Sequence, residues 1–120
     1  MKPHLIAPKT KSEKIRIEKV SNQNDLPFIV AFRDSLSKKY NFIEMSVADI
    51  KTFQQFLDKI ANMTFAQVNK RYRRKTDRTD SYNEEHVAHY AVTQKFRMHG
   101  VLERNVLYVI RLDPSHMFHG

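Results

Sequence analysis

The chain predicts an α+β domain in which a small antiparallel sheet carries two or three helices packed on one face. Three features of the sequence lead there. Apolar residues recur at helical spacing between about positions 26 and 72. After position 86 the period shifts to alternation and then to a nearly continuous apolar run from Val106 to Ile110. The 120 residues are 41% apolar and 28% charged, with only two glycines and four prolines, the composition of one small globular unit. Helical stripes and a one-sided sheet must bury one another, which sets the layers but not the strand order.

Taken in chain order, residues 1–13 read as a flexible basic arm, with Pro3 and Pro8 set among Lys2, Lys9 and Lys11. The domain is expected over 14–120, beginning with an alternating segment at 14–20 in which Ile15 and Ile17 mark one covered face. Asp25 and Pro27, suited to a first turn, precede Leu26, Ile29, Phe32, Leu36 and Tyr40 at helical spacing and predict a helix over about 26–40. Ser46 with Asp49 three residues on is a capping box ahead of Ile50, Phe53, Leu57 and Ile60, with Phe56 widening the stripe, and predicts a helix to about 62. Thr64 and Gln67 repeat the device before a short helix carrying Phe65, Val68 and Tyr72. Phe53, Phe56 and Phe65 are expected in the core. Residues 76–85 have no apolar period and read as a polar connection, the best candidate for a mobile loop. Two antiparallel strands follow, joined by a turn within 100–105, and Asp113-Pro114 ends the second because proline cannot donate to a ladder. Tyr108, inside the apolar run, is expected in the core.

Lys and Arg number 21 against 13 Asp and Glu, a formal charge of +8, and so small a basic domain should attract polyanions. The chain has no cysteine, which excludes disulfides, thiolate zinc sites and a thiol nucleophile. No apolar run approaches a membrane span, and the first residues lack the apolar stretch of a secretory signal, so a cytoplasmic location without membrane contact is expected.

The densest basic segment is Lys70, Arg71, Tyr72, Arg73, Arg74 and Lys75, followed by Arg78. Cations hold phosphates, and an interleaved aromatic can stack on an unpaired base, so the segment points to RNA or another single strand. The competing role is a solvated helix end whose cations suit the negative end of the helix dipole. Histidines gather in the last third, at 86, 89, 99, 116 and 119. Paired spacings beside Glu85 or Asp113 complete no metal-binding pattern, and no cofactor is expected.

Metal-independent RNA cleavage needs a base for the 2′-hydroxyl, cations for the phosphate and a donor for the departing oxygen. Alternation places Lys95, Arg97 and His99 opposite Phe96 and Met98, and Arg111, His116 and Tyr82 or Tyr90 could join them from neighbouring strands or the last turn. Asp113 is expected to accept backbone hydrogen bonds in its proline turn rather than to orient His116.

The stretch KFRMHGVLERNVLYVIRLD, residues 95–113, resembles the small toxin ribonucleases of the RelE/ParE/HigB group, in which early helices precede a basic strand, a turn and an apolar strand. The resemblance implies a metal-independent endoribonuclease of bacterial or phage origin that cleaves messenger RNA, often on the ribosome, and has a protein antitoxin as partner. By position, Lys95, Arg97 and Arg111 resemble that group's phosphate-handling cations, and His99 or His116 its acid or base. A noncatalytic RNA- or DNA-binding protein using the same cationic surface is the main alternative. A protein-interaction module is a third.

Overall fold

The computed structural model describes residues 22–76 and 79–118. The expected arm at 1–13, the alternating segment at 14–20, Arg78 and His119 lie outside the described residues.

Both capping boxes form. Ser46 Oγ accepts from the Asp49 N–H and the Asp49 carboxylate accepts from the Ser46 N–H, each at 3.1 Å, opening helix α1 over Val47–Ile60. Thr64 and Gln67 make the same exchange at 3.2 and 2.9 Å, opening α2 over Phe65–Tyr72. Two orphan donors are satisfied at each start, so the chain can break at 61–63 and restart in a new direction. Phe53, Phe56 and Ile60 of α1 and Phe65 and Val68 of α2 are buried.

Five strands form the main sheet: β1 (Ile29–Ala31), β2 (Arg73–Arg74), β5 (Ala88–Ala91), β6 (Arg97–Glu103) and β7 (Val106–Asp113), in the order β1-β7-β6-β5-β2. The β6–β7 hairpin turns at Arg104-Asn105, with Arg104 in the left-handed region at φ 57°. β1 runs parallel to β7, so the sheet is mixed rather than wholly antiparallel. Asn105 secures that edge: its Nδ2 donates to the Pro27 carbonyl at 2.8 Å, and its own carbonyl accepts from the Ile29 N–H at 3.0 Å.

The expected helix over 26–40 does not form. In its place the chain makes a single 3-10 turn at Gln23–Asp25, strand β1, and an irregular path to a second 3-10 turn at Phe42–Glu44. Buried Phe28 and half-buried Val30 join the core while Ile29 between them is exposed, a period of two rather than 3.6. Pairing with β7 satisfies backbone groups that a helix would satisfy internally, and the β-branched pair Ile29-Val30 suits a strand. The polar connection also differs from expectation. Ser81–Tyr82 (β3) and Glu85–His86 (β4) pair as a hairpin whose turn residues Asn83 and Glu84 both have positive φ, 51° and 68°.

The core lies between the helices and one sheet face, where Phe53, Phe56, Phe65 and Val68 meet Tyr90, Met98, Leu107, Val109 and Leu112. On the other face Val87, Val101 and Ile110 make a smaller cluster with half-buried Tyr82. Tyr108 is not a core residue: it is half-buried, with the Arg33 guanidinium 4.0 Å above its ring. A register shift between His99 and Gly100 pairs them with Arg111 and Val109, leaving Ile110 as the extra residue of a bulge. Gly100 is required there by close approach, because an added Cβ would lie 2.5 Å from the Tyr108 carbonyl oxygen and 2.8 Å from Leu107 Cδ1. Gly100→Ala is therefore expected to lower stability by about 1–3 kcal/mol, the range for overpacking. A urea midpoint equal to that of the unaltered protein would show that the bulge yields freely. Among the described residues no helix is long and apolar enough to cross a membrane.

Candidate functional site

The ladder aligns one row across four strands: Arg74 of β2 pairs with His89 of β5, His89 with His99 of β6, and His99 with Arg111 of β7. Tyr90, Met98 and Leu112, their neighbours along the strands, belong to the helix-facing core, so His89, His99 and Arg111 lie on the opposite face. That face is covered rather than open. His99 is 0% exposed, and His89, Arg111 and Asp80 are also buried.

Hydrogen bonding accounts for this burial. Arg111 Nε donates to His99 Nδ1 at 3.0 Å, and Arg111 Nη2 lies 2.8 Å from both carboxylate oxygens of Asp80. The same carboxylate accepts from His89 Nε2, and the His89 and His99 rings stack 3.7 Å apart. Asp80 stands immediately before the β3–β4 hairpin, and its carbonyl accepts from the Val87 N–H beyond it at 3.1 Å. One buried carboxylate thus ties the polar connection to the sheet.

The protonation states follow from the contacts. With Arg111 donating to its Nδ1, the neutral His99 ring carries its proton on Nε2. Burial, with nearby His89, Arg111, His116 and Arg97, pushes His99 down to about 2, so it stays uncharged at neutral pH. Burial also lowers His89 against the opposing pull of Asp80. Asp80 accepts the His89 Nε2 proton, which leaves His89 Nδ1 as the ring's acceptor.

The C-terminal segment closes over the row. The Asp113 carboxylate accepts from the Met117 and Phe118 N–H groups at 3.0 and 2.8 Å, in the backbone-turn role expected of it. The Phe118 ring lies 3.6 Å from the Arg111 guanidinium, 5.7 Å from the His99 ring and 5.7 Å from Tyr40.

Among the expected catalytic residues, His99 and Arg111 are in direct contact, and His116 is near enough to disfavour charge on both His89 and His99. Arg97 shares their face, but its Nη1 is held by the Thr93 and Gln94 carbonyls at 2.7 and 2.9 Å. Lys95 is exposed in the β5–β6 turn, away from this contact network. Tyr90 belongs to the core on the other face, where burial pushes it to about 12 and its hydroxyl donates to Asn69, while Tyr82 packs on the smaller cluster. His89 and Asp80, absent from the expected set, complete the network. Asp80 lies nine positions before its histidine partner with no local pattern joining them, so only strand register brings them together.

The basic segment divides differently. Lys70 and Arg71 end α2, Arg73 and Arg74 form β2 at the sheet edge, and Lys75 follows; all five are exposed. Tyr72 is half-buried with its ring edge-on to Phe56 at 5.0 Å, packed against the core. Arg74 Nη1 donates to the carbonyls of Arg71 and Arg73, capping α2. Two open clefts flank this region. One, of about 630 Å³, is lined by Lys59, Met63, Gln67, Lys70 and Arg71. The other, of about 420 Å³, is lined by Asn69, Arg73, Arg74, Lys75, Thr76 and His86. Among the described residues no group of three His, Asp or Glu is placed to hold a metal ion.

No family model, no curated protein and no solved structure matches this chain.

Proposed function

We propose that the domain binds RNA in the cytoplasm, holding the sugar–phosphate backbone along the cationic end of α2 and the β2 edge. The observation that carries this reading is the lining of the two flanking clefts: both are bordered by Lys and Arg, and among the described residues neither is lined by a carboxylate. Cations holding phosphates give electrostatic, largely sequence-independent recognition. Neutralising Arg71, Arg73 and Arg74 together to Gln should weaken binding to a labelled single-stranded RNA and reduce the slope of log affinity against log salt by about 2, at ~0.7 per phosphate contact. Circular dichroism on the triple variant checks that losing the Arg74 cap leaves the helices intact. An unchanged affinity and slope would remove this surface from RNA binding.

Cleavage of messenger RNA is the second reading, favoured by the Asp80–His89 pair. A carboxylate on one ring nitrogen and an acceptor on the other is the arrangement of a general base, and burial keeps His89 in its uncharged form. In such a reaction His89 Nδ1 takes the 2′-hydroxyl proton, the 2′-oxygen attacks phosphorus, and the 5′-oxygen leaves with a proton from an acid such as His116, producing a 2′,3′-cyclic phosphate. Arg111 balances the phosphate charge. Ribosome-bound RNA and an antitoxin are the partners this reading carries. RNA cut by the purified protein but spared by His89→Ala and His116→Ala, with binding retained, supports it; cleavage unaffected by both changes refutes it.

A further inference from the structure

Thr76 and His86, ten positions apart, line the same cleft as Arg73, Arg74 and Lys75, with Thr76 Oγ1 3.2 Å from His86 Nε2. The β3–β4 hairpin carries His86 there, opposite Ser81, and Asp80 ahead of the hairpin holds it to Arg111 and His89. His86 is exposed, so a ligand can reach it. Among the described residues it is also the one group lining this cleft of a type whose charge changes between about pH 5 and 8.

The charged groups around His86 favour an anion as its ligand. Arg73, Arg74 and Lys75 share the cleft from the sheet edge. On its own hairpin Glu85 precedes it in β4 and points to the opposite side of the ribbon, and Glu84 sits in the turn. The Asp80 carboxylate is taken by Arg111 and by His89, the histidine that pairs with Arg74. A neutral imidazole has one donor and one acceptor, whereas an imidazolium has two donors. Once protonated, His86 Nε2–H donates to Thr76 Oγ1, and the Thr76 hydroxyl hydrogen is released to the cleft. One proton thus supplies both a positive charge and further donors for phosphate oxygens.

We propose that His86 and Thr76 make this cleft a proton-coupled phosphate site: seating a backbone phosphate of RNA draws a proton onto His86, so the domain holds RNA more tightly as pH falls. A phosphate among Arg73, Arg74 and Lys75 brings negative charge beside the ring, and an opposite charge within about 4–6 Å favours the imidazolium. Coupling between the two ligands is reciprocal, so the proton favours the phosphate by the same factor. Resting on the RNA reading for its ligand, this site adds a pH dependence that the arginines and lysine alone do not supply.

The test measures affinity of the full chain for a short oligouridylate, whose diester phosphates and bases keep their charge across the range, from about pH 8 to 6. Affinity is expected to rise about tenfold, the scale of one hydrogen bond to a charged group, and the slope of log affinity against log salt to steepen by about 0.7. His86→Gln should remove the rise. His86→Lys, charged throughout, should show no pH dependence and bind at pH ~8 about tenfold more tightly than His86→Gln. An affinity that stays flat with pH in the unaltered chain, or a rise that His86→Gln leaves intact, overturns the proposal while RNA binding stands. Inorganic sulfate, a dianion throughout, gives a readout independent of RNA: on saturation the His86 ring signals in nuclear magnetic resonance should move towards those of an imidazolium. If the oligouridylate does not bind, or binds the Arg71, Arg73 and Arg74 variant unchanged, the RNA surface fails and sulfate decides. His86 signals that move then keep the site with a free anion as its ligand, and signals that stay overturn it.

Discussion

Replacing Asp80 with alanine is expected to lower the unfolding free energy by about 3–5 kcal/mol, the cost of stranding a buried charge by removing its partner. The Arg111 guanidinium would lose both 2.8 Å contacts and His89 its carboxylate, in surroundings where neither can recruit water without opening the structure. The β3–β4 hairpin would lose its side-chain tie to the sheet, so cleavage by a protease within 79–86 should accelerate along with the shift in denaturation midpoint. By contrast, breaking the exposed Arg33–Glu103 pair should leave the midpoint where it is, because solvent screens it. A loss below about 1 kcal/mol for Asp80→Ala would mean that the carboxylate is solvated and the network is not a structural tie.

Acid should destabilise the fold through His99. Its pKa is pushed to about 2 in the folded chain, against about 6.5 for an unfolded histidine. Above pH ~6.5 neither state binds the proton and stability is complete; below it the unfolded state gains a proton that the folded state refuses, costing about 1.4 kcal/mol per pH unit. At pH 5 the loss from this group is about 2 kcal/mol, and His89, also lowered, adds to it in the same direction. His99→Asn keeps an acceptor near the Arg111 Nε and removes the titration. Urea midpoints measured from about pH 7 to 5 should therefore fall less steeply in the variant, by close to one proton in the linkage slope. Parallel curves would show that His99 is protonated or hydrated in the folded protein.

Much of the architecture is local chemistry and could be read from the residues. Ser46 with Asp49 and Thr64 with Gln67 announce the two helix starts because each box satisfies its own neighbours' donors. Phe53, Phe56 and Phe65 are core because they lie on those helices' apolar stripes. Asp113-Pro114 ends β7 where expected. The segment 26–40 misled because Leu26, Ile29, Phe32, Leu36 and Tyr40 match a helical period while the competing pattern, Phe28 and Val30 inward, acquires its value only when β7 offers a ladder 75 residues or more away. Tyr108 misled in a similar way: an apolar run does not reveal which alternate residues face the helices.

The candidate site was legible in its chemistry but not in its geometry. Arg97 and His99 on one strand face followed from alternation, and Arg111 could be named from the neighbouring strand. The pairing of His99 with Arg111 depends on a bulge at Ile110, and that of His89 with Asp80 depends on where a polar connection is pinned. By itself the sequence determined a basic α+β domain without thiol chemistry, its two capped helices and the residue types available to meet a phosphate. Tertiary structure alone decided that the histidine row is buried beneath Phe118 while Arg71, Arg73 and Arg74 remain exposed, because strand register and the path of the last five described residues depend on contacts between positions far apart in the chain or folded back upon it.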